Sequence, residues 1–310
     1  MPSFLVMDLR QLQAFLAVVD HGGFTAAAKA THTVQSNVST HVARLERDLD
    51  AVLIDRATGR PTQEGEAVLV RVRRIQNELS SMESDVSSLR SSPRGIVRVG
   101  VIGTTARWLA PHLFEELKRC APDVQLVVAD GTTRTIELRL LDGELDIGVI
   151  SLPVDDPEIR TADLFHEDHI VVCPNNHPLT SSTGPIDLLS LAQYPLLLPS
   201  PNSPFRRKLD TAFLSQGARP VPQMELDGLR LIASMAFQGF GVAILPATAT
   251  PGWLKGPWTT IPLTGIPQRT VAMATRRRGM LTVAAQTTAK VLEHLIANQA
   301  SQVEGLQLIE

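Results

Sequence analysis

The sequence predicts an α/β protein made of a small all-α head, one long helix and a two-lobed α/β domain. Three patterns predict it. Apolar residues recur at helical spacing from Leu9 to Leu49, a heptad stripe runs from Val68 to Leu89, and strands alternate with helices from Ile96 onward. At 310 residues the chain exceeds one ordinary core, and domains of about 100 to 200 residues are expected.

In the head, Leu9, Leu12, Phe15, Leu16 and Val19 share one helical face, and His21-Gly22-Gly23 ends that helix with residues that tolerate left-handed backbone. Thr25 is expected to cap a short second helix over AAAKA, and Thr33 is the N-cap candidate of a third. The third helix has a stripe of Val34, Val38, Val42, Leu45 and Leu49, which leaves Gln35, Ser36, Ser39, Thr40 and Arg44 on its other faces. Two helices joined by a short turn, the second apolar behind and polar in front, fit a helix-turn-helix whose second helix enters the major groove. The same polar face equally fits a solvated surface helix. Between Asp8 and Gln63 six basic residues (Arg10, Lys29, Arg44, Arg47, Arg56, Arg60) meet six acidic ones (Asp8, Asp20, Glu46, Asp48, Asp50, Asp55). Nucleic-acid binding by this module therefore rests on placement, not on field strength.

Val68, Val72, Ile75, Leu79, Met82, Val86 and Leu89 step alternately by four and three, the a/d repeat of a coiled coil, with no proline or glycine between them. So narrow a seam expects a partner helix, and packing on the chain's own core is the alternative. SSPRG, residues 91 to 95, breaks the helix. Beyond it, IVRVGVI, VQLVVA and LDIGVI read as strands separated by helices over Trp108 to Lys118 and Arg134 to Leu141. A second set has strands near Ile170 to Cys173 and Leu196 to Leu198, helices over Phe205 to Gln216 and Leu229 to Gln238, and the strand GVAILP. RTVAMATR and a helix from Leu281 to Ala297 return the chain to the first set. The alternation predicts parallel βαβ units in two lobes, with crossings near residues 164 to 168 and 262 to 268.

The stretch from Leu9 to Leu69 resembles the winged helix-turn-helix of LysR-type transcriptional regulators. The resemblance lies in Phe24-Thr25-Ala26-Ala27-Ala28, Gln35-Ser36, Ser39, Leu45-Glu46, Leu53 through Arg56, and Thr62 through Gly65, in that order and spacing. Asp50, Ile54 and Thr31 depart from it, standing where the family usually has glycine, phenylalanine and leucine. The two lobes resemble the same family's effector-binding domain, itself similar to periplasmic binding proteins. The resemblance implies an N-terminal all-α winged helix-turn-helix over residues 8–65, a dimerising linker helix over 66–92 and an effector domain over 93–300. Within that domain it implies lobe I at about 93–164 and 268–300 and lobe II at about 168–262.

It also implies that Gln35, Ser36, Ser39 and Thr40 read operator DNA, with Thr25 and Thr33 beside them, Arg44 near the backbone, and Arg56 and Arg60 flanking a wing. His41 fits either a phosphate contact or a plain surface position. Homodimers pairing into tetramers follow from the resemblance too.

In open α/β sheets ligands sit beyond the carboxyl ends of the strands. That places Thr104 and Thr105 after the first strand, Asp130, Thr132 and Thr133 after the second, and Ser200, Asn202 and Ser203 across the cleft. Hydroxyls, an amide and helix N-termini suit a small organic acid, whereas simple helix capping is the other role for such residues.

Other classes fit less well. A net charge of −3 excludes a polycation. Cys120 and Cys173 form neither a disulfide framework nor a metal spacing, and read as two buried thiols in a reducing compartment. No secretory pattern or long apolar run is present, so a cytoplasmic protein without membrane contact is expected, not a transport solute-binding protein. GxSxG, P-loop, HExxH and GxGxxG motifs are missing, so no enzyme activity and no cofactor are expected. His166 to His169 (HEDH) reads as hinge and surface polarity more than as a metal site, and Arg276 to Arg278 as a solvated turn.

Overall fold

A computed structural model describes residues 7–88, 92–250 and 252–309; Leu89 and the start of SSPRG lie outside them. The chain divides into two units, Met1–Arg90 with Leu141–Glu144, and Ser91–Leu140 with Leu145–Glu310.

The first unit holds α1 (Leu9–His21), α2 (Phe24–Ala30), α3 (Gln35–Asp48) and α4 (Gln63–Ser88). Asp8 caps α1 in a reciprocal box: its carboxylate accepts from the Gln11 amide N–H at 2.9 Å while the Gln11 side chain accepts from the Asp8 N–H at 3.1 Å. Gly22, at φ 73°, ends the helix as its pattern requires. Phe15, Val18, Ala27, Val38, Val42, Leu45, Leu53 and Ile54 form the core of this unit.

Two expected caps are corrected. Gly23 precedes α2, so Thr25 lies inside the helix; Val34, not Thr33, is the N-cap of α3, with no side-chain cap bond. Val34 is consequently 65% exposed and drops out of the buried stripe.

Asp50 stands just after α3 at φ 49°, a left-handed conformation that costs a side chain and suits glycine. Asp50→Gly is expected to leave operator binding unchanged and to raise the head's stability by about 0.5 kcal/mol, read by urea unfolding.

α4 changes surroundings along its length. Leu69 and Val72 are buried in the head's core, while Ile75, Met82 and Val86 are 41%, 59% and 51% exposed within the chain. The own-core alternative therefore accounts for the first turns only. A helix of 26 residues extends about 39 Å, and an apolar stripe left in water along it costs ~1.5–3 kcal/mol per large side chain relative to burial.

The second unit contains two sheets. Lobe I is built on β1 (Gly95–Ile102), α5 (Gly103–Cys120), β2 (Val124–Gly131), α6 (Thr133–Leu141), β3 (Ile147–Ser151) and β4 (Ile159–Glu167). Lobe II follows with β5 (His169–Pro174), α7 (Leu188–Leu191), β6 (Pro195–Pro199), α8 (Pro204–Ser215), β7 (Val221–Leu226), α9 (Leu229–Phe237), β8 (Val242–Pro246) and β9 (Trp258–Pro262). The chain re-enters lobe I through β10 (Arg269–Arg276), α10 (Val283–Gln299) and β11 (Leu306–Leu308).

The sheet orders are β11-β4-β10-β3-β1-β2 and β7-β6-β8-β5-β9. β1 pairs parallel with β2 and β3, and β6 with β7 and β8, as βαβ units demand. Outside those units the pairing is antiparallel: β10 runs antiparallel to β3 and β4, and β5 to β8 and β9. The reason is the double crossing, since the chain leaves lobe I along β4 and returns along β10 in the opposite sense. β11 pairs with β4, so the lobe I sheet continues past residue 300 to Leu308. The thiols differ from expectation too, with Cys173 buried and Cys120 exposed at the end of α5.

Candidate functional site

In the head, burial of Val38, Val42 and Leu45 turns the opposite face of α3 outward. Gln35, Ser36, Thr40 and Arg44 are exposed and Ser39 is half-buried. Thr25 Oγ1 donates to Gln35 Oε1 at 3.1 Å, which orients the amide with its NH₂ free to donate. Thr40 Oγ1 donates to the Ser36 carbonyl at 2.8 Å, so its hydroxyl hydrogen is engaged and only its lone pairs remain. Thr33 Oγ1 accepts from Asn37 Nδ2 at 3.1 Å, and Asn37, exposed on the same turn, is a polar group the sequence stripe passed over.

A tight turn between the paired residues Ile54 and Pro61 stands in for the wing. Arg56 ties it to α3: it donates to Ser39 Oγ at 3.3 Å and to Glu46 Oε2 at 3.1 Å, and its guanidinium lies 5.1 Å from the Phe24 ring centroid. Glu46 also accepts from the backbone N–H of Leu53 at 2.9 Å. Arg60 is exposed at the turn. His41 is half-buried, and its Nδ1 is buried without a partner.

In the second unit, α5, α6, α8 and α9 begin just after β1, β2, β6 and β7, and the start of α9 meets the end of β2 across the lobes. Thr132 and Ser203 act as caps, accepting from Thr135 N at 3.2 Å and Arg206 N at 3.1 Å. Thr133 is tied to the Ser151 backbone, while Ser200 is half-buried and Asn202 exposed. Thr104 and Thr105 are buried, each hydroxyl accepting from Arg269 Nη2, at 3.1 and 3.0 Å.

Arg269 was not identifiable from the sequence. Its Nε donates to Glu167, which is fully buried and accepts from the Thr248 N–H at 2.6 Å. Glu167 and His169, expected to be surface groups, are buried: in β4 Glu167 shares a face with buried Phe165, and in β5 His169 shares one with buried Val171 and Cys173. Arg230, on the first turn of α9, forms an ion pair with Asp130 and so joins lobe II to lobe I. A Cβ on Gly103 would sit 3.0 Å from the Arg230 stem, and glycine there admits the arginine. The only sequence signal for either arginine was a charge at the edge of an apolar run. Among the described residues no group of three or more metal-ligating side chains occurs, and no helix is long and apolar enough to cross a membrane.

A helix-turn-helix head, a long helix and a two-lobed α/β domain together make the architecture of a class of DNA-binding regulators. The family model for the bacterial regulatory helix-turn-helix protein, lysR family, matches residues 9–66, and that for the LysR substrate binding domain matches residues 90–296. The chain belongs to the LysR family of DNA-binding transcriptional regulators, and not to an enzyme family.

It is 30% identical over 243 residues to a probable hydrogen peroxide-inducible genes activator of Mycobacterium leprae, covering 77% of this chain and 78% of that one. It is 28% identical over 302 residues to the regulator CbbR of Xanthobacter flavus, covering 96% and 90%. A full-length variant of OxyR from Pseudomonas aeruginosa has a similar structure, with a TM-score of 0.72 at 26% identity over 98% of this chain and 99% of that one. CbnR, solved in complex with its target DNA, shares the fold, with a TM-score of 0.69 at 20% identity over 95% and 100%.

Proposed function

We propose that this chain binds operator DNA as a homodimer through residues 66–92, further paired into tetramers, and that a small organic acid in the inter-lobe cleft modulates that binding in the cytoplasm. The observation that carries the DNA assignment is the division of α3 into a buried valine back and an outward front of Gln35, Ser36, Thr40 and Arg44. Amides and hydroxyls read base edges, while Arg44 and Arg60 take phosphates and Arg56 holds the turn against α3. The exposed Ile75, Met82 and Val86 support a second copy along α4, and two heads on one dimer axis match a palindromic site.

Arg230 supports the anionic effector. It is an exposed cation paired with Asp130, and a ligand carboxylate among Thr104, Thr105, Thr133, Ser200 and Asn202 takes it from that residue. A ligand that binds one lobe arrangement more tightly shifts the population of lobe positions, and with it the spacing of the heads.

The test is a mobility-shift assay on the gene's own upstream DNA with a panel of small organic acids. Gln35→Ala with Ser36→Ala weakens operator binding by about 1 to 3 kcal/mol for each base that is no longer read, and leaves random-DNA binding unchanged. Thr104→Ala keeps DNA affinity and blunts the response to the acid. Equal loss on operator and random DNA contradicts the assignment of α3, and an acid response untouched by Thr104→Ala contradicts that of the cleft.

A further inference from the structure

Arg269 stands where the chain re-enters lobe I, its side chain only 10% exposed, and its guanidinium is engaged on one side alone. Nε donates to Glu167, and Nη2 donates to Thr104, Thr105 and Thr248. Nη1 meets no acceptor among the described residues, yet it is not one of the polar atoms closed off from solvent. Its two N–H groups therefore face open space beside the first turn of α5.

Lys208, on α8 of lobe II, reaches the same place. Its ammonium donates to the carbonyl of Gln268, the residue before Arg269, at 3.3 Å, and no carboxylate among the described residues pairs with it. An ammonium has three donors, so two stay open. Burial first, then the Arg269 charge, hold Lys208 below the ordinary lysine range, as two neighbouring cations must. His169 feels both: burial first, then Arg269 and Lys208, push it down to about 3, so its ring is neutral. The two carboxylates of the crossing are already engaged, Glu167 by Arg269 and the Thr248 N–H, and Asp168 Oδ1 by Gln268 Nε2 at 2.8 Å.

α5 supplies further donors. It runs for 18 residues, and its N-cap, Ile102, has no side chain that can accept from the first-turn N–H groups. Those amides and the positive end of the helix dipole favour an anion. Thr104 Oγ1 accepts from Arg269, which leaves its own hydrogen free to donate.

We propose that these groups form one oxyanion seat, in which the acid group of the effector lies between Arg269 Nη1 and Thr104 of lobe I and Lys208 of lobe II. The proposal rests on the organic-acid reading of the cleft and fixes where the acid group sits. An anion held by cations from both lobes favours the arrangement that brings those cations together, so occupancy of the seat draws the hinge closed.

Calorimetry of the full-length protein with sodium sulfate tests the seat, because sulfate is an oxyanion whatever the rest of the effector is. At about 10 mM sulfate the transition of the two-lobed domain rises by about 2 °C or more over that in sodium chloride of equal ionic strength. Lys208→Met, which leaves the buried Glu167 pair alone, abolishes the rise. Lys290→Met, which removes an exposed cation of α10, keeps it. No sulfate-specific rise in the parent, a parental rise in Lys208→Met, or loss of the rise in Lys290→Met overturns the proposal. A rise lost in Arg230→Gln but kept in Lys208→Met also overturns it, placing the anion at Arg230 while the organic-acid reading stands. The operator assay with organic acids reads the effector and the sulfate rise reads the seat, so the two assignments fail separately.

Discussion

Glu167→Gln lowers the stability of the two-lobed domain by about 3 to 5 kcal/mol, the cost of breaking a buried ion pair from one side. Glu167 is fully buried, and the Arg269 side chain facing it is 10% exposed. The amide still accepts from the Thr248 N–H, but its NH₂ turns a donor toward a guanidinium that already donates to Thr104, Thr105 and Thr248. That guanidinium is left charged and without a counter-ion in the hinge. Urea unfolding followed by tryptophan fluorescence measures the loss. Glu225→Gln serves as the comparison: Glu225 also pairs with an arginine, Arg206, but is 39% exposed, and Arg206 keeps Asp210. Its loss is expected to stay within about 1 kcal/mol. Equal effects from the two variants would show that burial at the hinge carries no energetic weight.

Gly65→Ala is expected to destroy the head while sparing the lobes. A Cβ on Gly65 would stand 2.0 Å from the Leu53 carbonyl oxygen and 3.1 Å from Pro61 Cβ. The clash is with backbone, so no side chain can swing away, and the start of α4 must lift from the turn after α3. Thr62 is bound into the same corner, donating to the Val52 carbonyl at 2.6 Å and accepting from the Gly65 N–H at 3.0 Å. Overpacking of this kind costs about 3 kcal/mol or more. Operator binding disappears, and calorimetry shows the head's transition lowered with that of the two-lobed domain in place. Gly184→Ala, with open space around its Cβ, leaves both transitions unchanged.

The head was legible because its order is local. Period-3.6 apolar spacing, the Gly22 stop and the Gly65 corner are each written within a few residues. The exceptions there were caps: Thr33 and Thr25 have the right chemistry for N-caps, but the turns placed Val34 and Gly23 at those positions instead. In the lobes, buried strands such as β1, β3 and β8 showed as apolar runs. β4, β7, β9 and β11 did not, because they are half-exposed or short and carry no sustained run; β7 is exposed along nearly its whole length. The cleft candidates were chosen for side chains that also cap helices, and in Thr132 and Ser203 capping engages the hydroxyl.

Sequence alone determined the family, the order of head, rod and lobes, and the outward chemistry of α3, since each follows from short-range periodicity and residue type. Tertiary structure decided the charges at the hinge and cleft. Arg269 meets Glu167, 102 positions away in the chain, and Arg230 meets Asp130 from the other lobe, pairings that no local pattern encodes. Which polar groups stay available is likewise a long-range outcome: a hydroxyl is spent or free according to what the fold brings within about 3.5 Å, the outer limit of a hydrogen bond.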